Sequence, residues 1–176
     1  DPSKSAATEL DIDWAAGVAF EDGLTRIKDQ EYLRAIDRFT AAIRISPEFS
    51  EAFLNRGHCS RELGDCEKAM ADYTEAIRLR PDSSEAFFSR GLEYRESLND
   101  VHAAIDDFTA AIDLEPHLAK AYNERGLCYA RLDEGSKGTN HRRAIEDYTE
   151  AIHLTPDYAD SYHNRGVRYA VVGEHQ

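Results

Sequence analysis

The sequence predicts an all-α fold, a solenoid of antiparallel helix pairs with four full repeats followed by the first helix of a fifth. Three observations carry this. Four segments line up: AIDRFTAAIRISP (Ala35 to Pro47), AMADYTEAIRLRP (Ala69 to Pro81), AIDDFTAAIDLEP (Ala104 to Pro116) and AIEDYTEAIHLTP (Ala144 to Pro156), with their prolines 34, 35 and 40 residues apart. A second set alternates with them: FLNRG at 53, FFSRG at 87, YNERG at 122 and YHNRG at 162. Both sets place their apolar and small residues at helical spacing, and a period of this length is the signature of a stacked-repeat protein.

Each element follows from its residues. In AIDDFTAAI the apolar residues fall at i, i+1, i+4, i+7 and i+8, one stripe of an amphipathic helix. The proline ends that helix, because it lacks an N–H and restricts the residue before it. In the other set Phe53, Gly57 and Ser60 share a face, as do Phe87, Gly91 and Tyr94. A mid-helix glycine costs about 1 kcal/mol against alanine. Gly57, Gly91, Gly126 and Gly166 nevertheless recur at one position, so a neighbouring helix is expected to pass close there, with Ala69, Ala104 and Ala144 as the matching points on it.

These residues resemble the tetratricopeptide repeat, most closely the subset with Asn/Ser-Arg-Gly in the first helix. Each repeat can be numbered from one to about 34. The family pattern has a large residue at slot four, glycine at eight, an aromatic at eleven, alanine at 20, an aromatic at 24, alanine at 27 and proline at 32. Repeat two matches with Phe53, Gly57, Ala69, Tyr73, Ala76 and Pro81, and repeat three with Phe87, Gly91, Tyr94, Ala104, Phe108, Ala111 and Pro116. Repeat four matches with Tyr122, Gly126, Tyr129, Ala144, Tyr148, Ala151 and Pro156. Repeat one is degenerate in its first helix but keeps Gly23, Ala35, Phe39, Ala42 and Pro47; the fifth has Tyr162, Gly166 and Tyr169. The resemblance implies a right-handed solenoid, with an N-terminal tail at 1–12 and an array at 13–176. Its repeats fall at about 16–49, 50–83, 84–118 and 119–158, with a partial repeat at 159–176. Leu10, Ile12 and Trp14 are expected to cover the first repeat, and Asp13 to cap its first helix.

Slot seven departs from the family's leucine. It is Arg56, Arg90, Arg125 and Arg165, while slot 23 is Asp72, Asp107 and Asp147; repeat one exchanges the charges, with Asp22 and Arg38. An ion pair between the two helices of each repeat is expected, reversed in repeat one. It is worth about 0–1 kcal/mol where exposed. Arg165 is expected to lack its slot-23 ion-pair partner. One residue is added near Leu98 to Val101 and about six around 133–143, DEGSKGTNHRR, which reads as a loop carrying Lys137, His141, Arg142 and Arg143.

The resemblance places partner binding on the first helices, which line a concave face. The groove positions are Phe20, Leu24, Leu54, Asn55, His58, Arg61, Phe88, Ser89, Leu92, Arg95, Asn123, Leu127, Arg131, His163 and Asn164. They describe an apolar floor, side chains able to hydrogen-bond a peptide backbone, and a broken row of cations. Replacing Leu92 by Asp and Asn55 by Ala is expected to weaken binding without melting helices. A family subclass holds the C-terminal carboxylate of chaperone tails, but the corresponding positions here are Phe20, Leu24, Asn55, Glu85 and Ser89, and only Asn55 matches.

The remaining composition narrows the function. With 34 acidic and 21 basic residues the net charge is −13, which disfavours nucleic acid and anionic membrane surfaces. No apolar run reaches the roughly 20 residues that span a bilayer. No signal peptide is visible, and the start at Asp1 reads as a processed or cut chain. Cys59, Cys66 and Cys128, an odd number irregularly spaced, read as reduced thiols and favour a cytoplasmic location. No phosphate loop, nucleophile elbow or zinc-type cysteine pair occurs, so no catalytic residue, metal or cofactor is expected. The expected function is a protein–protein interaction scaffold that captures an extended or helical segment of another protein or peptide. A self-assembly unit, a homo-oligomer formed through the terminal helices, is the alternative from another class, and a regulatory arm of a larger protein is a third.

Overall fold

The computed structural model describes residues 9–132 and 138–173. Among the described residues there are nine helices and no strand: α1 (Glu9–Lys28), α2 (Tyr32–Ile45), α3 (Ser50–Glu62), α4 (Cys66–Leu79), α5 (Ser84–Glu96), α6 (Val101–Leu114), α7 (Ala119–Leu132), α8 (Thr139–Leu154) and α9 (Ala159–Val172). The chain divides into two compact units, Asp1–Pro81 with α1 to α4 and Asp82–Gln176 with α5 to α9. Within each unit every helix packs on the next, and first helices also touch the following first helix: α1 on α3, α5 on α7, α7 on α9.

Helix ends obey the local chemistry of the repeat. Asp65 and Asp100 cap α4 and α6 by accepting the N–H of Lys68 and Ala103, at 3.2 and 3.1 Å. The residue before each repeat proline leaves the helix in an extended conformation while still donating its N–H to the last conserved alanine: Ser46 to Ala42, Arg80 to Ala76, Glu115 to Ala111 and Thr155 to Ala151, at 2.8–2.9 Å. Gln30, Gly64 and Asn99 take a left-handed conformation just before the second helix of their repeats, and the extra residue of repeat three lengthens the turn, Asp100 donating to the Tyr94 carbonyl six residues back where Asp65 reaches Ser60 five back.

Three expectations change at the ends and the insertion. Helix α1 already begins at Glu9, so Asp13 lies inside it rather than capping it. Trp14 is 73% exposed and covers nothing; the side chains of Leu10 and Ile12 lie outside the described residues. The insertion is a loop for less of its length than the sequence suggests. Helix α8 starts at Thr139, with His141 only 1% exposed and Arg143 stacked 5.6 Å from the Tyr129 ring, while Lys137 lies outside the described residues.

The close approach at the repeated glycine is real, but its partner is not the alanine. A Cβ on Gly23, Gly57, Gly91 or Gly126 would stand 2.5, 2.7, 2.8 or 2.7 Å from a ring carbon of Phe39, Tyr73, Phe108 or Tyr148. Those four rings, at slot 24, are fully buried. Glycine thus makes the seat for the aromatic that locks the second helix onto the first. Cys59 and Cys128 occupy equivalent positions in the cores around Phe39 and Phe108. Burial pushes their thiols up to about 11 and about 12, so both are protonated packing groups at neutral pH.

Candidate functional site

The polar framework of the repeat comes first, because it fixes the first helices. Arg56 binds Asp72 through Nε and Nη2 at 2.9 and 2.7 Å, Arg90 binds Asp107 at 2.8 and 2.8 Å, and Arg125 binds Asp147 at 3.0 and 2.8 Å. Repeat one carries the reversed pair, Arg38 to Asp22 at 3.5 Å. The pairing stands as expected, but the three forks are not exposed: their aspartates show 7–8% and their arginines 17–22% side-chain exposure. Each of these arginines also lies 5.4–5.7 Å from the slot-four ring of Phe53, Phe87 or Tyr122. A further bond escaped the sequence reading: Arg56, Arg125 and Arg165 donate to the hydroxyls of Thr40, Thr109 and Thr149 in the preceding repeat, at 3.1–3.2 Å. Arg165, which has no slot-23 carboxylate in this sequence, is held by a hydroxyl. The signal was present, since a threonine follows the slot-24 aromatic in all four repeats.

In the first unit the groove positions split. Phe20 and Leu24 pack on the Ala35–Phe39–Cys59 core, Phe20 lying 5.5 Å from the Phe39 ring and 4.8 Å from that of Phe49. Leu54 is buried at 6% exposure, so it is not open floor. Asn55, His58 and Arg61 come together, lining one cleft of about 330 Å³ with Ile27, Tyr32, Cys59 and Glu62. Asn55 donates to the Glu51 carbonyl at 2.8 Å, which fixes the amide and leaves its carbonyl oxygen as an acceptor. Ile27 and Tyr32 were not predicted, because repeat one departs from the pattern in its first helix.

His58 lies in this cleft with its ring 5.5 Å from that of Tyr73. Burial, aided by the Arg61 charge, lowers its pKa to about 4. In the unfolded chain an imidazole titrates near 6.5, so between these values the unfolded chain binds a proton that the folded one refuses. Stability is complete above the unfolded value and falls as pH drops towards the folded one. The expected loss by pH 5 is roughly 1–2 kcal/mol. Urea midpoints between pH 5 and 7 should show this slope in the wild type and a flatter one in His58→Gln; equal slopes would assign the loss to other groups.

In the second unit the polar groove positions are tied to one another. Asn123, 3% exposed, accepts from Ser161 at 3.0 Å and from Asn164 at 3.3 Å, joining α7 to α9. Arg95 bridges Glu96 and Glu124 at 2.8 and 2.9 Å, joining α5 to α7. Ser89 is buried at 5% exposure. Phe88 and Leu92 pack on the Ala104–Phe108–Cys128 core, and Leu127 packs on that of Ala130, Ala144 and Tyr148. Arg131 and His163 are exposed. Leu92→Asp therefore threatens the core and is not the harmless probe the sequence suggested. Among the described residues no cluster of three or more His, Cys, Asp or Glu side chains could hold a metal ion, and no helix is long and apolar enough to cross a membrane.

Paired helices locked by a glycine-seated ring and repeated along the chain define a helical-repeat scaffold for protein–protein interaction. Residues 20–84 and 84–118 match two tetratricopeptide repeat models, together more than half the chain, which therefore belongs to the tetratricopeptide repeat family, an interaction fold rather than a catalytic one. Among solved structures the chain is similar to MamA, at 24% identity and a TM-score of 0.80 over 91% of this chain and 84% of that one. That likeness shows the fold, an all-α helical-repeat solenoid. It is also similar to YrrB, described as a TPR protein with an unusual peptide-binding site, at 25% identity and a TM-score of 0.70 over 85% of this chain and 73% of that one. The first TPR of Spaghetti (RPAP3), bound to the HSP90 peptide SRMEEVD, matches at 26% identity and a TM-score of 0.66 over 68% of this chain and 94% of that one. No curated protein matches the sequence.

Proposed function

We propose that the first-helix face of this protein takes up an extended or helical segment of a partner protein, without catalysis, and that the cleft between α1 and α3 anchors it. The observation that supports this most is the convergence of Asn55, His58 and Arg61 with apolar Ile27 and Tyr32 around one cleft of about 330 Å³. An amide fixed in place, a cation and an apolar wall suit a peptide: one part meets its polar backbone and another buries a side chain. YrrB and the Spaghetti domain, a described peptide-binding site in one and a bound peptide in the other, support a peptide ligand for this fold. A carboxylate-terminated tail is not the ligand proposed. Phe20 and Leu24 offer only packed apolar groups where the clamp needs polar ones, and Glu85 would repel an anion. The buried thiols of Cys59 and Cys128 suit a reducing, cytoplasmic setting.

A second reading rests on Gly166. Its four equivalents each seat a ring, whereas a Cβ on Gly166 meets nothing within 4 Å, and Tyr162 and Val167 beside it are 46% and 37% exposed. Self-association through α9 would cover this face.

One experiment separates the two. Tagged wild type and an Asn55→Ala, Arg61→Glu variant are incubated with source lysate, and captured proteins are quantified by mass spectrometry. A partner lost at least tenfold in the variant supports the cleft. Full retention by the variant removes the cleft from the account. Return of the chain alone, with a mass that rises with concentration and falls on Tyr169→Glu, supports self-association.

A further inference from the structure

A second cleft, on another side of α3, has a shape explained by a missing ring. Slot eleven is a tyrosine in repeats three, four and five, Tyr94, Tyr129 and Tyr169, but repeat two has Ser60. At this place the structure has a cleft of about 380 Å³, whose lining includes Ile36, Arg56, Lys68, Ala71 and Asp72, with Ser60, 2% exposed, at its buried floor. All of it lies within the first unit.

The protein supplies its own template for what fits there. In repeat three the Arg90 guanidinium lies between two rings, 5.7 Å from Phe87 and 5.8 Å from Tyr94. In repeat two Arg56 has the first ring, Phe53 at 5.4 Å, and its second neighbour is replaced by the cleft. Its side chain is correspondingly more open, 22% exposed against 18% for Arg90. In repeat four the ring of Tyr129 carries a different cation, Arg143, at 5.6 Å. The residue at that position in repeat two is Lys68, whose ammonium rests on Asp65 at 2.6 Å and is otherwise exposed. A guanidinium face and a flexible cation thus border an aromatic-sized space above an apolar wall from Ile36 and Ala71. A ring's negative faces and apolar edges are complementary to that combination.

We propose that the Ser60 cleft is a binding site for a tyrosine side chain of a partner protein, which completes repeat two as Tyr94 and Tyr129 complete repeats three and four. The site lies on a different side of α3 from the Asn55–His58–Arg61 cleft and can stand or fall independently of it.

The test uses the whole chain, isotope-labelled, titrated with N-acetyltyrosinamide and, in parallel, N-acetylleucinamide while backbone amide shifts are followed. The expected result is saturable movement at Ser60, Lys68 and Ala71 with the tyrosine compound, at millimolar affinity, and at least tenfold weaker binding of the leucine compound. Ser60→Tyr should abolish the binding and raise the thermal midpoint by about 2–4 °C. Ala71→Phe, at an exposed position on α4, closes the mouth without touching the floor and should also abolish it, so the answer does not hang on one variant folding. Unsaturable shifts, equal binding of both compounds, or binding that survives in a folded variant overturns the proposal.

Discussion

Gly91→Ala is expected to destabilise the protein by about 2 kcal/mol, while Gly166→Ala, at the same slot, stabilises it by about 1 kcal/mol. Both substitutions recover the helix propensity that glycine forfeits. They differ in what the new methyl meets. At Gly91 it would stand 2.8 Å from a carbon of the Phe108 ring, which has no exposed surface and no room to retreat. Overpacking of that kind costs about 1–3 kcal/mol and outweighs the gain. At Gly166 it meets nothing within 4 Å. Urea unfolding of the two variants reads the contrast directly. Equal shifts of one sign would mean that the ring does not constrain the glycine.

The second large effect is expected at the interhelical fork. Arg125→Ala should cost about 3 kcal/mol, because it strands a carboxylate rather than merely losing an attraction. Asp147 has only 8% side-chain exposure, and burial already raises its pKa even though Arg125 pulls it down. Arg34→Ala removes a pair whose arginine is 68% exposed and should change stability by less than about 1 kcal/mol. Exchanging the charges, Arg125→Asp with Asp147→Arg, imitates the polarity that repeat one uses and should recover part of the loss. Thermal and urea midpoints of the three variants check this. A cost at Arg125 no larger than at Arg34 would show the fork to be a surface pair.

Much of this was legible in the sequence, and the reason is repetition. A feature that recurs with constant spacing must obey the same geometry each time, which accounts for the helix pairs, the proline stops, the three Arg–Asp forks and the reversed pair of repeat one. What repetition fixes is the side of a helix on which a residue sits, not how closely the next helix shuts against it. Leu54, Ser89 and Asn123 belong by pattern to the groove face and are buried, while Asn55, at the same slot as Ser89, lines an open cleft with His58 and Arg61. The glycine signal was read correctly as a close approach and assigned to the wrong neighbour, because a ring at slot 24 reaches further than its Cα position suggests. Non-repeating stretches are least legible: the start of α1 and the insertion before α8 lie where no second copy constrains the geometry.

The exchanged charges of repeat one bear on how the chain finds its native pairing. Four near-identical second helices compete for each first helix as the chain collapses, and the ring-in-glycine contact treats them alike. Charge does not. Were α1 to pair with α4, α6 or α8, Asp22 would face Asp72, Asp107 or Asp147; were α2 to pair with α3, α5 or α7 in the manner of a second helix, Arg38 would face Arg56, Arg90 or Arg125. Each such match sets like charges together at a partly shielded site, where Asp72, Asp107 or Asp147 and their arginines are largely buried and Asp22 and Arg38 are 37% and 51% exposed, so the repulsion disfavours it. The reversed pair therefore acts as an address label. It marks this hairpin as mutually exclusive with the other three, a selection among misfolded registers more than a gain for the folded one.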